Sequence, residues 1–427
     1  MHSKGLIGDR TQIVRLLALM YVPLTVVSVL IRRKKFGTDV ADLVLYYESA
    51  LKLLQGKLPY SDFPLEYPPL ALLPMTLPQL VNFGQVLGFR GYVCLFWLEN
   101  VIFTTLIALL LLQVRRYWQP KQRSLWILKA YIILVTISTP LLPWRFDLFP
   151  ALLTLLALLF ILFERPTIAG IWLGLAIAAK LYPLVLLPIF GAYYLASRKY
   201  HSLIKLVLGC VGATCIVMLP FALTAGGEML SFLRYHQLRG LQVESFPAGI
   251  LCLAHVLQLT KVSLVFNYGA FHLVSPLAAP ILKWLPLISI LSFVGVISSC
   301  LSCFRREYRT KGTITVENLV IYTIAALWTF MIVGKVFSPQ YIIWLLPFAP
   351  LLRPRQFWLM AAIFAMSILI FPIKYHLLLQ LQVPWVVLLN LRNLLVVVLL
   401  LWLLIETNHK VGRNGLNRHI YEKIGNT

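Results

Sequence analysis

Apolar residues occur along this chain in long runs that short polar segments separate. Many of the runs approach the roughly 20 residues that an α-helix needs to cross a membrane. They predict helical spans over twelve stretches: 12–31, 89–114, 125–143, 148–163, 167–181, 183–197, 203–222, 281–303, 314–334, 340–352, 356–371 and 384–405. We therefore predict an all-α fold, a polytopic transmembrane helical bundle of about 11–13 spans.

The stretch 247–279 does not follow this pattern, because polar side chains interrupt its apolar turns. These side chains are His255, Lys261, Asn267 and His272. Surface helices, a re-entrant pair and two further spans are all compatible with such a stretch. The orientation of the other spans does not depend on this choice.

Composition and charge narrow the class of protein. The chain has 427 residues, of which 60% are hydrophobic and only 12% charged, which excludes a soluble globular protein. Its net charge of +23 would favour a nucleic-acid partner in a soluble protein. Lysine and arginine lie in short loops here, where they set topology and attract anionic membrane lipids. We predict one membrane-embedded domain over residues 1–427, with no nucleic-acid partner.

The number of spans that precede a loop decides on which side of the membrane that loop lies. With a cytoplasmic N-terminus, the basic segments fall inside, as the positive-inside rule requires. They are 115–123, 198–205, 305–311, 353–355 and a C-terminal tail over 406–427. The basic run 32–35 is the exception, because parity places it in the first outer loop, residues 32–88. We interpret its charges as facing anionic headgroups or a phosphate-bearing substrate, rather than as an error in the span count.

The first outer loop contains an acidic island, residues 36–69. Asp39, Asp42 and Tyr46 are spaced by three and four residues, so they share one face if 40–55 is helical. Apolar residues form a stripe beside them. The pattern predicts an amphipathic helix on the membrane surface that offers its carboxylates to a polar site.

Other unusual polar residues fall on the same outer side. They are Arg145, Asp147, Lys180, the segment 234–244, Lys335, Gln340 and Lys374. A proton-coupled transporter places ionisable groups near the middle of its spans, whereas here they cluster at one end of the helices. We therefore predict a site at the outer membrane surface. No Gly-rich phosphate loop, HExxH motif or metal-spaced histidine cluster occurs, and we predict neither a metal nor a cofactor.

Six outer segments occur in a fixed order. They are Asp42-Leu43-Val44-Leu45-Tyr46, Glu66-Tyr67-Pro68-Pro69, Arg145-Phe146-Asp147-Leu148, Lys180-Leu181-Tyr182-Pro183, Tyr235 to Ser245, and Ser338-Pro339-Gln340-Tyr341. In this order they resemble the membrane-embedded glycosyltransferases of the C superfamily (GT-C), particularly the bacterial polyprenyl-phosphate-mannose-dependent mannosyltransferases. The resemblance implies a hexosyltransferase of the bacterial cytoplasmic (inner) membrane whose active site faces outward. In that family an acidic residue of the first outer loop serves as the base, and Asp42 matches its position.

The chemistry of such a transfer selects residue types. A base must deprotonate the acceptor hydroxyl, for which we predict Asp42 with support from Asp39. Cations must stabilise the departing phosphate, and the candidates are Lys180, Arg145, His236, Arg239 and Lys335, with Lys374 as a further one. Candidates for contacts to the sugar or the acceptor are Tyr46, Glu66, Asp147, Glu244, Gln340 and Tyr341.

Plainer roles stay open for these residues. Asp39 and Asp42 are also compatible with a solvated helix face, and the cations with snorkelling at helix ends. Arg145 and Asp147 are close enough in sequence to pair with each other, and Glu244 to cap the helix that begins near residue 247. The corner at 338–340 offers backbone N–H groups to an anion or only starts a helix.

The sequence thus predicts an inverting, metal-independent transfer of a hexose, with mannose favoured. The partners implied are a polyprenyl-phosphate sugar donor, a lipid or glycan acceptor, and membrane lipids. The alternative is a lipid-linked oligosaccharide flippase or other transporter, which would hold a pyrophosphate with the same basic groups. That alternative requires polar residues along a path through the spans.

Overall fold

The computed structural model describes residues 12–26, 41–81, 86–114 and 124–424, with side chains up to residue 408 in the last helix. Asp39, the basic run 32–35 and the basic loop 115–123 lie outside the described residues. The first α-helix, α1, is Gln12–Val26. The others are α2 Ala41–Leu54, α3 Leu72–Leu80, α4 Phe89–Val114, α5 Ser124–Ser138, α6 Leu148–Leu162, α7 Pro166–Ala179, α8 Leu187–Ala196, α9 Tyr200–Ala225, α10 Ser231–Leu238, α11 Phe246–Val256, α12 Ala278–Lys311, α13 Val316–Ile332, α14 Pro354–Ile368, α15 Tyr375–Leu379 and α16 Val383–Ile424.

Long apolar helices dominate the described part of the chain. Those long and apolar enough to cross a membrane are Phe89–Val114, Tyr200–Leu238, Ala278–Lys311, Pro354–Ile373 and Val383–Asn408, and seven shorter apolar helices accompany them. The prediction of a polytopic all-α membrane protein is confirmed. The last helix continues to Ile424, so the predicted cytoplasmic tail, 406–427, begins as part of α16.

Helices α7 and α9 approach each other so closely that only glycine fits between their backbones. A Cβ atom built on Gly170 would lie 2.1 Å from the carbonyl oxygen of Leu206, and one on Gly209 would lie 2.4 Å from that of Thr167. Small residues allow this close packing in membranes, where the hydrophobic effect does not drive helices together. Since α7 ends immediately before Lys180, this contact also fixes the backbone that carries a predicted site residue.

The prediction of a helical span over 340–352 is wrong. This segment forms two 3₁₀-helices, Pro339–Leu345 and Ala349–Leu351, and most of their side chains are buried. Its three prolines, at positions 339, 347 and 350, lack the N–H group that an α-helix interior needs. The corner at 338–340 was a candidate anion site because it starts a helix. That helix is a 3₁₀-helix of only seven residues, which is too short to support the site.

The ambiguous stretch 247–279 contains one short helix and a β-hairpin. After α11 come β2, Ser263–Asn267, and β3, Ala270–Val274. They form an antiparallel sheet with β1, Leu241–Gln242, in the order β1-β3-β2. The two turn residues of the hairpin, Tyr268 and Gly269, both have positive φ, which suits a two-residue turn. This small sheet was not predicted.

Two buried ionisable residues lie well inside long helices, although the sequence suggests that charges cluster at helix ends. Glu99 in α4 is 6% exposed, and Arg392 in α16 is 1% exposed. A lone charged residue is tolerated inside an apolar helix when it faces the protein interior and finds partners there. Arg392 has such partners in the carbonyl of Glu244 and the ring of Phe337.

Candidate active site

Helix α2 places Asp42 at the edge of a buried aromatic cluster. Tyr46, one turn further along, is fully buried and packs against Phe96 and Phe146 at ring distances of 5.6 and 5.5 Å. Asp42 keeps 29% of its side chain exposed and forms an ion pair with Arg145. The predicted helix is confirmed, and one of its faces is buried in protein, while its position on the membrane surface stays a prediction.

Arg145 is almost completely buried between a short 3₁₀-helix, Leu142–Trp144, and the start of α6. A guanidinium in such a place must be paired, because burying an isolated charge is very costly. Its partner is Asp42. The alternative pairing of Arg145 with Asp147 is wrong, because Asp147 bonds to Lys180 instead.

Asp147 and Lys180 form a second ion pair behind the first. Lys180 Nζ lies 2.6 Å from Asp147 Oδ1, which also accepts a hydrogen bond of 2.5 Å from Trp344 Nε1. The ammonium group lies over the rings of Phe146, Trp344 and Tyr67, at 4.8, 5.4 and 5.5 Å. Carboxylate and aromatic faces thus enclose Lys180, which leaves its charge little access to a ligand.

Trp344 also supports an aromatic stack. Its ring is sandwiched between Tyr182, at 4.0 Å and 2°, and Tyr341, at 3.9 Å and 21°. Tyr341 lines an open cavity. The Asp147–Lys180 pair therefore holds, through Trp344, one wall of that cavity from behind.

The cavity has a volume of about 340 Å³. It brings together predicted site residues from distant parts of the chain, namely Asp42, Glu66, Arg145, Arg239, Glu244, Gln340 and Tyr341. Its lining also includes the aromatic residues Phe266, Tyr268, Phe271, Phe371 and Tyr375. A pocket lined by both charged and aromatic side chains suits an amphiphilic ligand.

The remaining predicted residues do not line the cavity. Tyr46, Asp147 and Lys180 lie directly behind its wall. His236 packs beside Tyr235 on α10 at a ring distance of 5.5 Å, and Lys335 Nζ donates to the carbonyl of Gln237 at 2.7 Å. Lys374, the further candidate, is exposed.

Burial changes the proton affinity of the cavity's carboxyl groups. It raises the pKa of Glu66, and Asp42 adds to the effect, whereas Tyr235 and Arg239 oppose it. Burial also raises the pKa of Glu244 to about 7, against the opposing effects of its backbone hydrogen bond, Tyr375, Arg392 and Arg239. Glu244 is therefore close to half-protonated near neutral pH.

Burial and the neighbouring Arg239 lower the pKa of His272 to about 4, so this imidazole is neutral. It faces Arg239 Nε across 3.5 Å and acts as the acceptor. A neutral imidazole does not cancel the positive charge that Arg239 brings to the cavity.

The model of glycosyltransferase family 87 matches residues 65–329, which is more than half of the chain. The protein belongs to glycosyltransferase family 87. It is also similar to GPI mannosyltransferase 1 of Candida albicans, with 30% identity over 206 residues that cover 46% of this chain and 49% of that protein. The chain thus spans about half the length of this curated relative. The prediction of a membrane glycosyltransferase is confirmed, while the bacterial polyprenyl-phosphate-mannose branch stays a prediction.

The match to family 87 includes only part of the cavity. Glu66, Arg145, Arg239 and Glu244 lie within the matched residues. Asp42 lies before them, and the wall residues Gln340 and Tyr341 lie after them. The family assignment therefore rests on the central helices, and the geometry of the cavity is a separate observation.

Sequence reasoning did not assign a role to two residues of this candidate site. Gln242 lines the cavity, and Arg392 Nη2 donates to the carbonyl oxygen of Glu244 at 2.9 Å. A signal was available for Arg392, because Arg392-Asn393 interrupts an otherwise apolar run and intramembrane ionisable residues are functional candidates. Glu244 does not cap α11, since Ser245 Oγ accepts the bond from the Ala248 amide.

The described residues of the candidate site offer no evident place for a metal ion. Among the residues that the structure describes, no group of three or more His, Cys, Asp or Glu side chains has a suitable arrangement. Metal-independent transfer stays a prediction.

Proposed function

We propose that this membrane protein transfers a hexose, specifically mannose, from a polyprenyl phosphate to a lipid or glycan acceptor. The observation that carries the proposal is the Asp42–Arg145 ion pair in the wall of a cavity lined by charged and aromatic side chains. A carboxylate beside a guanidinium places a proton acceptor next to a phosphate-binding group. The name of the similar Candida albicans protein, a mannosyltransferase, supports mannose as the sugar.

In the proposed reaction the acceptor hydroxyl attacks the anomeric carbon of the donor. Asp42 takes the hydroxyl proton as the new carbon–oxygen bond forms. The bond between the anomeric carbon and the phosphate oxygen breaks, and its electron pair leaves with the phosphate. A single displacement of this kind inverts the anomeric configuration.

Arg145 and Arg239 are proposed to stabilise the phosphate. Both line the cavity, and Arg145 is buried, so its charge acts in a medium of reduced dielectric. Because two arginines supply the positive charge, we propose that no metal is required.

The other predicted residues receive roles according to their positions. Glu66, Glu244, Gln340 and Tyr341 are proposed to contact the sugar or the acceptor, since they line the cavity. Tyr46, Asp147 and Lys180 are proposed to hold the wall in place. Lys335 is proposed to attract the anionic donor from a position beside the cavity, and His236 to donate a hydrogen bond to the donor. The positive-inside pattern supports an outward-facing site in a bacterial cytoplasmic membrane.

The test is transfer of radiolabelled mannose from a polyprenyl-phosphate mannose by the purified protein. Asp42→Asn is expected to reduce turnover by at least about 10³-fold, because the hydroxyl loses its proton acceptor. Glu48→Gln is a matched control, since Glu48 lies exposed on the same helix, with its Oε2 atom 4.0 Å from Lys52 Nζ. Near-normal turnover by the Asp42→Asn protein would refute the role of Asp42. Movement of labelled lipid across vesicles without a new glycosidic bond would favour a flippase.

A further inference from the structure

Strand β1 and the residues between it and α11 form one segment, residues 241–245, which we call the turn. Its backbone is held from two sides. The amide of Gln242 donates to the carbonyl of Lys335 at 2.9 Å, and the amide of Val243 donates to that of Phe271 at 3.0 Å. This turn joins the hairpin on one side to the loop before the 3₁₀-helix Pro339–Leu345 on the other. Its side chains therefore project from a rigid backbone.

Arg392 fixes the same turn from the membrane side. Its Nη2 donates to the carbonyl oxygen of Glu244 at 2.9 Å, and its guanidinium lies 4.0 Å from the ring centre of Phe337. Arg392 is 1% exposed. A charge buried so deeply in an apolar helix is costly, and it persists when it has a specific structural or functional role.

Two buried oxygen atoms of the turn have no hydrogen-bond partner among the described residues. They are Gln242 Oε1 and Glu244 Oε2. Gln242 is 3% exposed and Glu244 is 1% exposed, and both residues line the cavity. Buried acceptors are nearly always paired with donors in folded proteins, so this pair indicates a ligand that brings hydroxyl or amide donors.

The charges around the cavity decide what kind of donor fits. A phosphate has only acceptor oxygens and would be repelled by a carboxylate, so it is expected at the guanidinium groups of Arg145 and Arg239 rather than at Glu244. A sugar offers several hydroxyl donors and no charge. Its size also suits the cavity, which has a volume of about 340 Å³.

We propose that Gln242 and Glu244 bind hydroxyl groups of the transferred hexose, and that Arg392 is the positioning residue that holds them. The assignment of the ligand as the hexose rests on the proposed function. The binding of a hydroxyl-bearing group at this turn does not require that transfer occur.

The experiment compares the affinities of the purified protein for farnesyl-phosphate mannose and for farnesyl phosphate. Two hydrogen bonds to the sugar predict that the mannosylated probe binds about tenfold or more tightly than the bare phosphate. Gln242→Ala and Glu244→Ala are each expected to bring this ratio down several-fold while the affinity for farnesyl phosphate stays unchanged. Equal affinities for the two probes in the wild type would overturn the proposal.

Arg392 is tested by the same ratio, which a merely structural role would not change. Arg392→Gln is expected to lower the ratio as Gln242→Ala does, and Arg392→Lys to restore it in part. Asn390→Ala is the matched control, because Asn390 donates to the carbonyl of Gly249 at 2.9 Å from the same helix and does not contact the turn. If Arg392→Gln weakened both probes equally, the positioning role would be wrong.

This test separates the two proposals. Sugar-dependent affinity without any mannose transfer would refute the transferase proposal and leave the hydroxyl-binding turn in place. If the wild type transferred mannose but bound both probes equally, the hydroxyl-binding turn would be refuted and the transferase proposal would remain.

Discussion

Asp42 and Arg145 belong to distant segments of the chain, yet they meet as an ion pair in the wall of one cavity. The pair is asymmetric, since Arg145 is 5% exposed at its side chain and Asp42 is 29% exposed. The carboxylate is thus the more accessible partner, while the guanidinium is fixed by its surroundings. In the proposed reaction, this arrangement joins a proton acceptor to a phosphate-binding group within one structural unit.

Removing the guanidinium is expected to impair donor use more than folding. In the proposed reaction, Arg145→Gln loses a charged contact to the departing phosphate and should lower kcat/KM for the donor about 10²–10³-fold. Arg145→Lys should retain part of the activity, because a lysine keeps the charge without the planar fork. Steady-state kinetics with labelled donor check both values. A kcat/KM within about twofold of the wild type for Arg145→Gln would contradict the phosphate role.

The raised pKa of Glu244 predicts a pH dependence near neutrality. Below about pH 7 the carboxyl is protonated, and above it the carboxylate becomes the stronger hydrogen-bond acceptor. Affinity for a mannosylated probe should therefore rise as pH increases through about 7, and Glu244→Gln should remove this step. The groups that interact with the Glu244 carboxyl include Tyr375, Arg392, Arg239, Tyr341 and Cys252.

The same pKa predicts the opposite trend for stability. Between the usual value of 4.5 and about 7, the folded protein holds the Glu244 proton more tightly than the unfolded chain does. Stability should therefore fall as pH rises through this window and change little from this group above it. Thermal unfolding in detergent at several pH values measures the trend, and Glu244→Gln should flatten it. An unchanged slope in the variant would show that other groups cause it.

The buried Asp147–Lys180 pair predicts a large effect on stability. Asp147→Asn leaves the enclosed ammonium of Lys180 without its carboxylate and should cost about 3–5 kcal/mol. Lys180→Met in the same background should recover part of the loss, because it removes the unpaired charge and keeps similar volume. Unfolding measurements on the single and double variants test this coupling. Additive losses would mean that the two side chains do not act as a pair.

Hydrophobic periodicity predicted the long helices well, because a membrane span requires a continuous apolar run. The helix over 89–114 agrees with Phe89–Val114 to the residue, and α2 lies within the predicted 40–55. The periodicity failed at 340–352, where the residues are apolar enough for a span but proline prevents an α-helix. Apolar character alone does not distinguish a lipid-facing helix from a buried irregular segment.

The site was predictable as a set of residues and not as a set of contacts. Asp42, Arg145, Arg239 and Glu244 were all selected from the sequence, because unusual polar residues cluster in the outer segments. Their partners depend on how distant helices pack, which one sequence does not specify. For this reason two contacts are seen only in the folded chain. They are the Asp42–Arg145 ion pair and the hydrogen bond from Arg392 to the carbonyl of Glu244.

The close contact of α7 and α9 gives a prediction about folding with a control in the same helix. Gly209→Leu would place a Cβ atom 2.4 Å from the Thr167 carbonyl oxygen, and Gly170→Leu would meet the Leu206 carbonyl oxygen at 2.1 Å. Both are expected to lower the melting temperature or the yield of monodisperse protein, since backbone atoms cannot yield as side chains do. Gly212→Leu, also on α9, has no atom within 4 Å of its Cβ position. It should behave like the wild type, because the cost comes from the helix contact and not from losing a glycine. Equal losses in all three variants would contradict this explanation.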